Sequence, residues 1–245
     1  MNLTAVIAQK NRSKNIKMCL DSLRGAVPRP KVIVVDFGSS PAVAYPNDPW
    51  LKVIHVTRAT DTFHKARALN IGIKASDTRY ICITDADQIF QSNYFGAVYS
   101  LLTAKKASFI VCNTHFIKNY PPGFVLTDVV AQYAELLRIA KDSGLRIRGD
   151  GCCQAVSKKW LMMVNGYDET YIGYGAEDSD LRLRAKLAGF NFASAFGSTS
   201  MIHLPHEKSG VYYSAANLRR NRLYYRMKTL TKQIVANQDK PWGEL

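Results

Sequence analysis

Four short apolar runs, each closing on polar or acidic side chains, set the strongest limit on how this chain can fold. They are LTAVIA (3–8), KVIVV (31–35), LKVIHV (51–56) and RYICIT (79–84). Continuous runs rich in β-branched residues read as strands buried on both faces. Between them, residues 14 to 25 place Ile16, Leu20 and Leu23 at helical spacing, ending near Gly25 and Pro28. Residues 62 to 76 form a second helix with Ala66, Leu69 and Ile73 inward. The alternation predicts an α/β fold with a mostly parallel central sheet flanked by helices. Ligands in such sheets gather outside the carboxyl ends of the strands. Gln9 to Arg12, Asp36 to Ser39 and Asp85 to Asp87 all fall there, so three polar strand ends are expected to face one crevice. Neither GxGxxG nor GxxxxGK[ST] is present, which excludes a dinucleotide fingerprint and a P-loop.

Beyond residue 92 the pattern loosens. NYFGAVYSLLTAKKA reads as a helix, SFIVCNTHFI as one strand, and Pro121-Pro122-Gly123 as a turn. Residues 125 to 141 suggest a long helix whose apolar face is Val129, Val130, Tyr133, Leu136, Leu137 and Ala140. SGLRIRGDGCCQAVSKKW reads as a glycine-rich loop entering another strand. No linker or repeat interrupts the chain, and 245 residues at 47% hydrophobic suit one large domain, 1–245. No apolar run approaches the ~20 residues a membrane helix needs, and the start is too short for a secretory signal. A cytoplasmic protein is expected, with a peripheral place at the inner membrane face left open. The five cysteines are odd in number, lack zinc-type spacing and read as reduced, mostly buried thiols. A net charge of +14 predicts attraction to something anionic without choosing what.

TDADQIF poses the chemical question, because Asp85 and Asp87 follow a buried strand. Two close carboxylates resist joint ionisation unless a cation neutralises them. Hard oxygen ligands there suit Mg²⁺ or Mn²⁺, which in turn bridge a diphosphate. Surface turns also use Asp freely, so the pair alone is weak. A second stretch strengthens it. In GYDETYIGYGAEDSDLRLRAKLAGF (166–190), an aromatic glycine loop delivers Glu177 and Asp178 to the start of a helix carrying Leu181, Leu183, Leu187 and Ala188. The plainer reading is acids that complement a helix dipole. In STSMIHLPHE, His203 and His206 lie three apart beside a proline, which suits loop ligands.

VDFGSS, DTFHKARALNIGIKA, TDADQIF, GYDETYIGYGAEDSDLRLRAKLAGF and SMIHLPHE occur in the order expected of GT-A glycosyltransferases. The chain resembles bacterial family 2 enzymes such as chondroitin-polymerase domains. It is also similar, segment by segment, to the catalytic domain of animal β-1,4-galactosyltransferases, over roughly residues 3 to 228. The resemblance implies a GT-A (Rossmann-like) fold with a nucleotide-binding half (1–92), an acceptor-binding half (93–210) and a basic C-terminal helix (211–245). It implies that Asn11, Arg12 and Asp36, with Gln9 and Ser39 beside them, contact the base and ribose of a UDP-sugar. Lys65, Arg67 and Asn70 would approach the nucleotide and diphosphate. Asp85 would face ribose and metal, Asp87 would ligate Mn²⁺ (or Mg²⁺) directly, and His203 would be the third ligand, with His206 as the other candidate. Asp178 would be the general base of an inverting transfer to a hydroxyl acceptor, with Glu177 and Tyr174 holding that acceptor. Two departures stand out: Tyr174 replaces a Trp of the galactosyltransferases, and Phe37 replaces a second acid of many family 2 enzymes.

From Lys208 to Gln238 there is no acid. Arg219, Arg222 and Arg226 share a helical face, and Leu223, Met227, Leu230 and Ile234 form an apolar seam. The favoured expectation is a closing helix docked by that seam. The sharper alternative is a track for an anionic acceptor: an acidic glycan, a lipid-linked precursor at a membrane, or DNA. Tyr212, Tyr213, Tyr224 and Tyr225 could stack on sugars or bases. Three rival functions stay open: modification of DNA bases, a nucleotidyltransferase, and an inactive nucleotide-sugar-binding protein. IAQKNRSKN lacks the glycine-rich loop that a nucleotidyltransferase usually carries after its first strand.

Overall fold

In the computed structural model, which describes residues 1–57, 62–104, 108–144, 153–206 and 214–245, the apolar runs are the strands of the main sheet. β1 (Leu3–Gln9) lies between β2 (Lys31–Asp36) and β4 (Tyr80–Asp85), with β3 (Leu51–His55) outside β2, all parallel. Alternate residues of β1 serve opposite faces. Leu3, Ala5 and Ile7 pack towards α1 (Ser13–Arg24), whose Ile16, Leu20 and Leu23 are buried as the spacing predicts. Val6 and Ala8 pack towards α2 (Lys65–Ala75), which buries Ala66, Leu69 and Ile73. Each Val, Leu or Ile among these contributes about 1.5–3 kcal/mol when fully buried. Gly72 lets α2 lie this close, because a Cβ there would come within 2.5 Å of a Val6 methyl.

The second half completes the sheet in mixed directions. In chain order it comprises β5 (Gln88–Phe90), α3 (Tyr94–Thr103), β6 (Phe109–Val111), β7 (His115–Phe116), α4 (Tyr133–Asp142), β8 (Cys153–Ser157), α5 (Lys158–Met163), α6 (Glu177–Leu187), β9 (Phe192–Ala193), β10 (Met201–His203) and α7 (Ala215–Thr231). β8 pairs antiparallel with both β4 and β6, and β9 runs parallel to β6, giving seven strands in the order β3-β2-β1-β4-β8-β6-β9. β5, β10 and β7 form a separate three-stranded sheet beside the end of β4. α4 packs on it through Leu136, Ile139 and Ala140. The four described cysteines, Cys19, Cys82, Cys112 and Cys153, are buried and unbridged.

Three expectations need correction. SFIVCNTHFI is two strands in different sheets, because the chain leaves β6 at Cys112 and re-pairs at His115 with β10. The helix expected over 125–141 begins at Tyr133. Before it, the Asp128 carboxylate accepts the Val130 and Ala131 amides, and the Gln132 side chain accepts those of Thr127 and Asp128, fixing a turn that leaves Val130 exposed. α6 buries Asp178, Asp180 and Arg184 together with Leu181, while Leu183 and Leu187 are half-buried.

The largest departure is α7. Its expected seam faces out, with Leu223 52%, Met227 62% and Leu230 82% exposed, and only Ile234 beyond it packs on the core. The docked face is polar instead. Asn221 donates to the carbonyls of Ile172 (3.0 Å) and Tyr174 (3.3 Å), while Lys228 pairs with Asp168 (2.7 Å) and Asp180 (3.0 Å). Arg184 closes this buried network at 2.8 Å from Asp180, and the Tyr224 hydroxyl donates to Asp168 at 2.9 Å. Buried carboxylates demand partners more strongly than leucines demand burial, so the ions decide which face docks. Tyr212, Tyr213 and the start of the basic segment lie outside the described residues, as does most of the glycine-rich loop before β8.

Candidate active site

Three groups of polar side chains meet at the carboxyl ends of β1, β2 and β4. The first is a rigid cradle. Gln9, wholly buried at the end of β1, donates to Ser39 Oγ (3.0 Å) and to the Tyr45 hydroxyl (2.5 Å). Tyr45 donates onward to Asp36 Oδ2 (2.9 Å), and Asp36 Oδ1 accepts the Ser39 amide and hydroxyl. The Asn11 amide donates to Ser39 Oγ, and the Ser40 amide donates to Asn11 Oδ1. Asn11 is left-handed (φ 56°), which turns the chain sharply between β1 and α1. The Arg12 amide donates back to Gln9 Oε1 at 3.1 Å. Gln9, Asn11, Arg12, Asp36 and Ser39 are thus one assembly. Tyr45 belongs to it although it comes from an irregular stretch with no periodic signal. Lys10 joins as well, reaching the carbonyls of Phe37 and Gly38.

The second group surrounds Lys65, the first residue of α2. Its ammonium is 2.9 Å from Asp85, 2.9 Å from Asp178 and 3.4 Å from Glu177. Burial opposes that charge, but the three carboxylates hold the lysine well above its ordinary range. Burial also dominates Asp178, with Glu177 and Asp85 adding repulsion, and pushes its carboxyl up to about 8 against the pull of Lys65. Asp85 is raised for the same first reason. Asp178 Oδ1 accepts the Tyr167 hydroxyl (3.2 Å), and its own carbonyl accepts Gln154 Nε2 (2.9 Å), so helix and strand β8 fix its position. Glu177 Oε2 accepts the amide of Gly175, whose φ of +107° only glycine adopts freely. Tyr174, one residue earlier, stands 57% exposed on that loop.

The third group is Asp87, His203 and His206. Strand pairing places His203 opposite Gln88, and so next to Asp87. His206 Nε2 lies 3.1 Å from Asp87 Oδ2, and His203 Nε2 lies 3.5 Å from Oδ1. The His203 ring stacks on Phe116, with centroids 4.7 Å apart. Against burial, His203, His206 and Arg12 hold the Asp87 carboxyl down at about 2. Each residue offers one ligand atom, and the three atoms lie within 4.8 Å of one another. Asp87 Oδ1 is buried without a hydrogen-bond partner. A buried, ionised and unsatisfied oxygen between two imidazoles fits a divalent cation, and the nitrogens suit Mn²⁺ better than Mg²⁺.

Asp85 is not in that set, since its carboxylate is turned to Lys65 instead. Arg67 and Asn70 are not brought to the cleft either. They lie about 200° and about 140° around α2 from Lys65. Arg67 donates to the carbonyl of Glu244, and buried Asn70 bonds to Tyr167 and Glu169. Helical angle separates them from a lysine that is their neighbour in sequence.

A cleft of this composition, at the carboxyl ends of a parallel half-sheet continued by antiparallel strands, defines a glycosyltransferase of the GT-A fold. Residues 4–165 match glycosyl transferase family 2, and the chain belongs to that family. Residues 140–207 also match the N-terminal domain of galactosyltransferase, over the stretch that carries Asp178 and both histidines. No curated protein matches the chain. The fold is similar to that of S. aureus TarS 1–349 in complex with UDP-GlcNAc (TM-score 0.65, 14% identity, 98% of this chain and 68% of that one). The same TarS fragment without that ligand aligns with a TM-score of 0.58 at 15% identity, over 98% and 67% of the two chains. Against the longer S. aureus TarS chain the match covers 98% of this chain and 41% of the other (TM-score 0.57, 14% identity). No helix among the described residues is long and apolar enough to cross a membrane.

Proposed function

We propose that the protein moves a hexose or N-acetylhexosamine from a UDP-sugar to a hydroxyl of a glycan or glycan precursor, in one inverting, cation-dependent displacement. One observation carries this reading: buried Asp178 is joined through Lys65 to Asp85, two residues from the Asp87–His203–His206 donor set. This supports a proton acceptor and a cation site sharing one cleft, an arrangement suited to transfer from a nucleoside diphosphate sugar.

The cradle of Gln9, Asn11, Arg12, Asp36, Ser39 and Tyr45 binds the nucleoside, with polar atoms already held in place by one another. Asp87, His203 and His206 would hold the cation, which when bound would supply Lewis-acid stabilisation of the departing diphosphate. Asp178 takes the acceptor hydroxyl's proton while that oxygen attacks the anomeric carbon opposite the breaking bond to UDP. Its raised carboxyl makes it a better proton acceptor once ionised. Lys65 stabilises the ionised form. Glu177 holds the Gly175 turn, and Tyr174 offers an exposed ring for the acceptor sugar.

The test is UDP release from a panel of UDP-sugars with and without Mn²⁺. UDP-GlcNAc comes first because it occupies the similar TarS structure, followed by the galactose, glucose and N-acetylgalactosamine forms. Manganese-dependent UDP release from one donor, with the product sugar inverted, is the expected result. Binding of no UDP-sugar at all would falsify the proposal.

A further inference from the structure

The outward face of α7 combines two kinds of side chain that water alone does not favour together. At about 100° per residue, Arg219, Leu223, Arg226 and Leu230 fall in one sector, with Arg222 and Met227 at its margins. All six are exposed, and the opposite sector is the one docked through Asn221, Tyr224 and Lys228. No acid occurs in the sequence from Lys208 to Gln238, so nothing on this segment offsets its cations. A second pairing of the same kind, Lys159 with exposed Met162 and Met163, ends α5. It lies close by: the Ala236 amide, five residues beyond α7, donates to the Val164 carbonyl at 3.0 Å.

Arginines alone would serve a nucleic-acid backbone or an acidic glycan equally well. The apolar side chains separate these partners. Leu223, Met227 and Leu230 would stay wet against a phosphate track, whereas a bilayer interface takes apolar groups at the acyl boundary and guanidinium groups among its headgroups. We propose that this face binds the surface of an anionic lipid bilayer, with the helix lying in the interface plane. The leucines and Met227 would enter the acyl boundary, while Arg219, Arg222 and Arg226 reach lipid phosphates. This inference is independent of the donor sugar and of Asp178.

Co-sedimentation of the full chain with vesicles tests it. Vesicles of mixed phosphatidylglycerol and phosphatidylcholine should bind the protein, pure phosphatidylcholine should not, and added salt should weaken binding. The double variant Leu223→Ser/Leu230→Ser should bind anionic vesicles at least about tenfold more weakly, because two side chains lose their apolar burial. Its unfolding temperature and UDP affinity should match those of the wild type, since neither leucine packs on the domain. Failure of the wild type to bind anionic vesicles at low salt would overturn the proposal. So would undiminished vesicle binding by the serine variant. Tighter binding of duplex DNA than of vesicles, alike in wild type and serine variant, would also overturn it and favour a phosphate track.

Discussion

Asp85 and Asp87 are two residues apart, yet the fold solves the burial of their charge in opposite ways. Asp85 is given a permanent cation, Lys65, which it shares with Glu177 and Asp178. Asp87 is given two imidazoles and an oxygen without a hydrogen-bond partner, an arrangement with the donor set of a cation site. The first cluster is closed electrostatically before any ligand arrives, and the second is not. A built-in ammonium fixes geometry at all times, whereas an exchangeable cation can accompany a charged substrate. On the proposed function, the two solutions side by side would let one cleft hold a proton acceptor steady while the charge opposite it varies.

The largest expected effect comes from breaking the closed cluster at its functional end. Asp178→Asn should lower transfer by about 10²–10⁴-fold with UDP affinity kept, because an amide cannot take the acceptor's proton. Turnover equal to wild type would remove Asp178 from the base role. Next comes a cluster of the same closed kind with no opening to a ligand, Asp168–Lys228–Asp180–Arg184. Lys228→Ala should cost about 3–5 kcal/mol of stability by stranding buried carboxylates. Lys65→Ala should cost less, because Asp178 is already poised to take up a proton. Equal losses by denaturant titration would refute the distinction.

The open cluster is tested by metal titration. Asp87→Asn and His206→Ala should each reduce Mn²⁺ affinity by about 100-fold or more, at or beyond the upper end of what a residue that only orients a ligand costs, while Asp85→Asn changes it little. A loss as large for Asp85→Asn would place both acids on the metal and end the comparison. The smallest effect is on pH. The folded-state carboxyl of Asp178 is raised to about 8, so its stabilising contribution is complete below the ordinary aspartate value and disappears as pH rises through about 8. Without metal, the wild type should lose stability across that window, and Asp178→Asn should show a flatter profile in thermal melts.

The strand ends were legible in the sequence because β-branched runs are hard to mistake, and three polar ends of a parallel sheet must face one way. The division between Asp85 and Asp87 was not, since D-x-D spacing does not say which side chain turns to which neighbour. Tyr45 gave no signal, coming from a stretch without periodicity. His206 was visible as a candidate, but only the structure shows the pairing of β10 with β5 setting His203 beside Asp87 and the residues after β10 bringing His206 to the same carboxylate. On α7 the periodicity found the apolar seam and assigned it to the wrong side. Helical spacing reports that a face exists, and the buried partners Asp168 and Asp180, distant in sequence, decide where it points.

Asn221 gives the molecule a latch. One side-chain amide holds two carbonyls, Ile172 and Tyr174, on the loop that carries exposed Tyr174. Two hydrogen bonds from one amide tie two points of the loop to a single point of the helix. The latch is mounted on α7, whose far side is the face assigned to the bilayer. A tilt of the helix on a lipid surface would therefore be felt at the loop proposed to meet the acceptor, and an enzyme resting on a membrane would differ mechanically from the same enzyme adrift in solution.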